Sequence, residues 1–374
     1  MSQKLLKYFL KLGTTGFGGP LALVSQMRVD LVENQKLISP KDFDQAFTLI
    51  KAMPGPLAFQ MAVHCGYKLS SFTGACIAGF GLIFPAFTMM LVLGVFYSQI
   101  IVVTGIKTFF TGMQFSVAAI ILMSLKSFII NYKKSILFWL ICLASLFLFF
   151  YKIIPESILI VGFGSLVVFF NYVKKNTVST SLSVSGALFI FNEPEKLLQI
   201  FKTCFTAGAL VFGTGLAAFP FLQSQFVDQL GWLSISVFND GVTFGQMTPG
   251  PVTISTTFMG YKMAGFSGAI CATLALLIPP FFHMTTWFPK AMSWLSLQTW
   301  ITHFILGSTA AVVGCLLVTV YKMNSSEISD ISFWIIFILT IAILYFKPKF
   351  SVIKILICAG FLNLCFQLIL RFMS

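Results

Sequence analysis

Apolar stretches of about 20 residues recur along the whole chain, and no other feature limits its folding choices as severely. That is the length a helix needs to cross a hydrocarbon core roughly 30 Å thick. In lipid every backbone N–H and C=O must be paired within the protein, which leaves helices or a closed barrel. A barrel would show alternating segments of about ten residues, and the sequence has none. Composition agrees: 57% of residues are hydrophobic and 9% charged, against roughly a quarter charged in soluble domains. The expected class is an all-α polytopic membrane protein. A formal charge of +13 is spread as lysines between apolar segments, as in loops flanking membrane helices. The expected surroundings are therefore membrane lipid and not nucleic acid. The N-terminus begins basic, but Lys7 and Lys11 interrupt it and no small-residue cleavage pattern follows, so a removable signal peptide is not expected. Eight cysteines lie singly in apolar stretches and read as small buried residues. His64, His283 and His303 share no spacing suited to a metal, and no cofactor is expected.

Internal repetition supplies the next constraint. Pro54-Gly55-Pro56 returns 195 residues later as Pro249-Gly250-Pro251, and Phe17-Gly18 returns at the same offset as Phe212-Gly213. Downstream, SFTGACIAGFGLIFPAF (71–87) aligns with GFSGAICATLALLIPPF (265–281) after a slip of one residue. The chain is read as a first repeat over 1–175, a Ser/Thr-rich linker over 176–197 and a second repeat over 198–374. Each repeat holds about six hydrophobic segments. In the first they lie near 5–24, 43–66, 72–97, 108–130, 135–151 and 154–173; in the second, near 200–222, 237–262, 266–288, 299–320, 331–346 and 350–371.

Charge placement differs between the repeats. Lys133 and Lys134 follow the fourth segment of the first, whereas Lys347 and Lys349 follow the fifth segment of the second. Because lysine-rich loops favour the cytoplasmic side, the shift points to an inverted repeat. An odd number of crossings per repeat is then needed, which makes the segment containing Pro-Gly-Pro the candidate for re-entrance. Six full crossings in each of two parallel repeats is the plainer alternative.

The Pro-Gly-Pro breaks are where chemistry is expected. Proline removes a donor and glycine permits a sharp turn, and in lipid such a break survives only where protein or a water-filled cavity surrounds it. Matched broken segments in two halves point to a transporter's binding site. The half-helix beginning after each break offers free N–H groups and the positive end of its dipole to an anion. The candidate binding residues are Lys51, Pro54, Gly55, Pro56 and Gln60 in the first repeat, with Gln246, Pro249, Gly250, Pro251, Thr253 and Ser255 in the second. Gly18, Gly19 and Gly213 could add backbone donors from glycine-rich turns. Lys51 faces either the anion or, by snorkelling, the interface. Asp240 and Asp44, near the starts of the broken segments, are the candidates for proton coupling; interfacial carboxylates facing water are the alternative.

Taken together, GFGGP, MPGP followed by GY, FTGA…FPAF, FGTG, FNDG…FGQMTPGP, FMGY and AGFSGA resemble the chromate ion transporter family in its two-domain form. The resemblance covers roughly 5–97 and 200–283, and it implies export of chromate across the bacterial inner membrane, with sulfate as a competitor of the same tetrahedral dianion class. It carries over to Asp240, Gln246, Pro249, Gly250 and Pro251. The first repeat departs from the family pattern, with Gln45 and Lys51 where an acidic residue and a glutamine are expected, and with Leu23 in place of a histidine. Those departures leave the identity of the oxyanion open. The resemblance makes the chain a secondary transporter of an inorganic oxyanion, and a homodimer is compatible with it. A carrier of another anion, such as an organic acid, is the rival. An intramembrane enzyme would need an acid/base or metal cluster, and the sequence offers none.

Overall fold

The computed structural model describes residues 2–17, 19–51, 53–130, 132–173, 196–210, 215–295, 298–347 and 350–373. Gly18, Gly213 and most of the 176–197 linker fall outside them. Among the described residues the first repeat consists of α1 (Ser2–Thr15), α2 (Gly19–Met27), a π-helical turn (Arg28–Asn34), α3 (Pro40–Ile50), α4 (Leu57–Ile100), α5 (Thr104–Ile129), α6 (Ile136–Phe150) and α7 (Glu156–Val173). The second runs α8 (Lys196–Leu210), α9 (Ala218–Gln223), a π-helical turn (Ser224–Gln229), α10 (Ile235–Met247), a 3-10 turn (Val252–Ile254) and α11 (Ser255–Thr285). It continues through α12 (Phe288–Leu295), α13 (Thr299–Asn324), α14 (Ile331–Phe346) and α15 (Val352–Met373). Apart from the added 3-10 turn and α12, the second repeat copies the first element by element, π-turns included. Among the described residues, five helical runs are long and apolar enough to span a bilayer: Leu57–Ile100, Gly105–Lys126, Val252–Thr285, Thr299–Asn324 and Val352–Leu370. The chain is a polytopic, all-helical membrane protein.

α4 is not one rod. Ser70 (φ −154°, ψ 37°) and Ser71 (φ 49°, ψ −146°) leave helical geometry, and Ala264 (φ −146°, ψ 31°) and Gly265 (φ 61°, ψ −150°) do the same in α11. The chain doubles back at both places. Gly66 packs on the Gly74 carbonyl and on Ala78, and Gly260 on the Gly268 carbonyl and on Ala272. A straight helix would hold residues eight apart about 12 Å from each other. α4 therefore has a short arm (57–69) and a long arm (72–100), and α11 likewise (255–263 and 266–285).

A second reversal lies at each Pro-Gly-Pro. Lys68, at the end of the short arm, reaches Asp42 at the start of α3 (4.0 Å). In the second repeat Gly241 lies against Phe258, and Gly245 against Ser255. Each Pro-Gly-Pro is thus the tip of a helical hairpin, where the sequence reading had one broken segment over 43–66 and another over 237–262. α1 folds back on α2 in the same manner, with Gly16 against Leu23 and Tyr8 beside Asp30.

The repeats interlock. The long arms run antiparallel, Phe72 meeting Phe281 at 5.7 Å between ring centroids while Lys262, just before the turn into the long arm of α11, donates to Ser98 at 2.9 Å. α5 packs parallel to α14, through Phe115–Phe333 (5.2 Å) and Ser116–Thr340 (2.8 Å). It runs antiparallel to α15, where Asn363 donates to the Thr108 carbonyl (2.8 Å). α13 mirrors this in the first repeat: it runs parallel to α6, Gly314 sitting on Cys142 and Tyr321 meeting Phe150 (5.8 Å). It is antiparallel to α7, with Ser308 donating to the Ile160 carbonyl (3.1 Å). Gly112 and Gly307 allow the backbones of α15 and α7 to approach closely, as small residues do between helices in lipid. Each repeat therefore lends one long helix to the other, and the pseudo-two-fold axis runs perpendicular to the long arms.

Candidate functional site

Sequence explains how each hairpin tip forms. Ser39 caps α3, its hydroxyl accepting from the Asp42 N–H (3.1 Å), and Ser234 caps α10 through the Val237 N–H (3.3 Å). α10 runs to Met247, just short of Pro249, and α3 ends at Ile50, ahead of Pro54; neither proline can continue its helix. Gly55 (φ +118°) and Gly250 (φ +102°) turn the chain in a region that side chains rarely enter. Space excludes a side chain at Gly55 as well, because a Cβ there would lie 2.6 Å from the Pro280 Cβ. Gly250 sits against Ala86, the counterpart of that contact. Each tip therefore meets the long arm of the opposite repeat, the second midway along that of α4 and the first near the C-terminal end of that of α11.

The second Pro-Gly-Pro tip also reaches the turn between α1 and α2 of the first repeat. The Gly250 N–H donates to the Gly16 carbonyl (3.1 Å), tying the second Pro-Gly-Pro to the first repeat's glycine-rich tip. Beyond Pro56 the short arm of α4 starts at Leu57, so helix geometry leaves the N–H groups of Leu57, Ala58 and Phe59 without intrahelical acceptors. Gln60 donates from Nε2 to the Pro54 carbonyl (2.6 Å), and its oxygen is buried with no donor. At the other tip the Thr253 hydroxyl is buried without a partner, whereas Ser255 and Thr256 donate to the Val252 (2.7 Å) and Thr253 (2.9 Å) carbonyls.

Sequence-predicted residues separate into two groups. Gln60, Gly55, Pro56, Pro249, Gly250, Pro251, Thr253 and Ser255 are buried at or beside the tips, with Pro54 and Gln246 half-buried. Gly19 (φ +81°) lies half-buried at the glycine-rich tip. Lys51 is exposed at the C-terminal end of α3. The two acids differ sharply. Asp44 is exposed and paired with Arg28 (3.0 Å), which also reaches Glu33. Asp240 is only 1% exposed, and its two oxygens accept from the Tyr97 hydroxyl (2.6 Å) and the Gln114 amide (2.7 Å), both on the other repeat.

Sequence reasoning missed Tyr97 and Gln114, which are 143 and 126 residues from Asp240 and belong to no motif. It also gave no role to His64, which is buried in the short arm of α4 against Phe288 (5.6 Å between ring centroids) with neither nitrogen bonded. Tyr97 completes an aromatic wall beside the second hairpin with Phe258 (5.2 Å), Phe244 and Phe110. A separate groove of about 540 Å³ between the long arms is lined by residues such as Phe80, Phe84, Leu274 and Ile278. It offers an anion no charged group.

The sequence model of the chromate transporter family matches residues 3–169 and again 198–364, one match to each repeat. The chain belongs to the chromate transporter family. It is 34% identical over 364 residues to the chromate transport protein of Cupriavidus metallidurans, covering 93% of this chain and 89% of that one. It is 32% identical over 355 residues to a probable chromate transport protein of Synechococcus elongatus (89% and 87%). An uncharacterized transporter of Methanocaldococcus jannaschii is 27% identical over 371 residues (93% and 90%). No solved structure matches. These chromate-transporter relatives are transport proteins, and the double match sets the repeat read from Pro-Gly-Pro within the family's own architecture.

Proposed function

We propose that this chain is a secondary transporter that exports chromate, or a tetrahedral dianion of the same class, across a bacterial inner membrane. The observation that carries the reading is that each repeat buries a Pro-Gly-Pro tip against the long arm of the other, and that each tip opens a half-helix whose N-terminus supplies N–H groups and positive dipole. The anion would be held at these half-helix N-termini, by the N–H groups of residues 57–59 and Gln60 at the first tip and by the Thr253 hydroxyl at the second. Ser255 and Gln246 would line its path. The names carried by the relatives support chromate as substrate. Sulfate would compete by shape and charge.

The antiparallel course of equivalent helices supports an inverted repeat, with both hairpins re-entrant and the long arms crossing. Lys126 lies over the Tyr345 ring (5.6 Å), which puts the α5–α6 turn with Lys133 and Lys134 on the same side as the end of α14 and Lys347. That basic side would be cytoplasmic. Export is then downhill electrically: two negative charges leaving a negative interior gain about 4.6 kcal/mol per 100 mV. Asp240 is the coupling candidate that remains buried and held between the repeats; Asp44 would only position Arg28. Lys51, exposed at the end of α3, would attract the anion without binding it.

Chromate uptake into everted vesicles tests the reading. Uptake that depends on the protein and is suppressed by sulfate is expected. Uptake of an organic acid that neither chromate nor sulfate inhibits would favour the rival carrier.

A further inference from the structure

Glu156 begins α7 and is 1% exposed, and neither carboxylate oxygen has a hydrogen-bond partner. Two elements supply the groups nearest it: Lys322 and Cys315 come from α13, and Asp228 from the π-turn that precedes α10. Cys142 of α6 lies beside Cys315, and Lys152 stands in the turn before α7. Lys322 is already engaged, donating to Asp228 at 2.9 Å, and Lys152 approaches the same carboxylate at 4.0 Å. A buried acid without a partner thus stands within electrostatic reach of a cation held by a second acid.

An ionised carboxylate is not stable when buried without a partner. While Lys322 stays with Asp228, Glu156 must carry a proton. Once the proton leaves, the bare carboxylate competes for Lys322, and Asp228 loses it. Asp228 lies seven residues before Ile235, where α10 starts, and α10 carries Asp240 and ends at the second Pro-Gly-Pro. The exchange therefore pulls on one of the two hairpins that form the site. It does so on the face opposite Lys133 and Lys134, because α7 begins beside the C-terminal end of α13, which runs antiparallel to it.

We infer that Glu156 is a proton-binding site, read from the non-cytoplasmic face, whose occupancy decides whether Lys322 pairs with Asp228 or with Glu156 and thereby controls transport through the α10 hairpin. If Glu156 were only a carboxylate at a helix N-terminus held by the dipole, transport would be indifferent to pH on that face. The transport readout rests on the proposed function; a second readout does not.

In proteoliposomes with pH set separately on each side, wild-type chromate flux is expected to change about tenfold between about pH 6 and about pH 8 on the Glu156 face. Glu156→Gln should stay at the wild-type low-pH rate throughout. Lys322→Met keeps the carboxyl and removes its cation, so the midpoint should move to higher pH. A Glu156→Gln variant with the wild-type profile, an unshifted Lys322→Met midpoint, or a wild type that transports yet ignores pH on that face would each overturn the inference. Infrared difference spectra in detergent without any anion give the independent readout. Acidification should produce a protonated-carboxyl band in wild type that Glu156→Gln lacks, and identical spectra would overturn the inference. Absent chromate flux with that band present would instead count against the proposed function alone.

Discussion

Asp240 draws both of its hydrogen bonds from the opposite repeat, so its removal should be felt by the site and not merely by the surface. Hydrogen bonds to a charged group are worth about 1.5–3 kcal/mol. Asp240→Asn would turn an amide towards two donors, and chromate flux is expected to fall by about tenfold or more. Asp44→Asn breaks an exposed pair with Arg28, of a kind contributing about 0–1 kcal/mol, and flux should change by less than about twofold. Equal losses in the two variants would contradict the division between buried and exposed acids. Lys51, exposed before the first tip, acts at a distance in this account. Lys51→Gln should raise KM a few-fold at low ionic strength, roughly as steering charges do, and the effect should vanish in high salt. A fall in kcat that salt does not relieve would move Lys51 into the binding site.

The hairpins depend on a few positions where a side chain either fits badly or cannot fit. Ser71 holds φ +49° at the turn where the second repeat has Gly265. Such conformations cost about 1–3 kcal/mol. Ser71→Gly should therefore stabilise the protein, raising its thermal midpoint in detergent, whereas Gly265→Ser should lower it. Gly66→Ala and Gly260→Ala should be worse, because each places a methyl group on a backbone carbonyl of the facing arm. The sequence made the breaks legible, since Pro-Gly-Pro occurs twice at one offset. It did not reveal that the chain reverses at each break, because a proline-broken segment reads equally as a kinked crossing. The turns at Ser70–Ser71 and Ala264–Gly265 do fall between the segments read as 43–66 and 72–97 and as 237–262 and 266–288. The clue was present in the paired glycines 66/74 and 260/268, whose spacing makes sense only once two arms lie face to face.

At the scale of the molecule, the repeat could be read from duplicated motifs, and the displaced lysines are the sequence argument for the proposed inversion, but the interlocking could not be read. Nothing local in α5 shows that it packs on α14 and α15, and the bond from Gln114 to Asp240 follows from that exchange. Inversion predicts that single cysteines at 132–134 and at 322–326, in a background without the native cysteines, react with impermeant reagent from opposite sides. Reaction from one side would contradict it. Above both stands the claim that paired hairpin tips pass a dianion under the control of membrane potential. Its most direct test is chromate flux in proteoliposomes with the potential clamped. At equal pH on both sides the zero-flux voltage should move by about 30 mV for each tenfold change in chromate gradient if two charges cross alone, and by less if protons are exchanged through Asp240. Chromate flux that ignores voltage, or no flux at all from folded protein, would contradict the account.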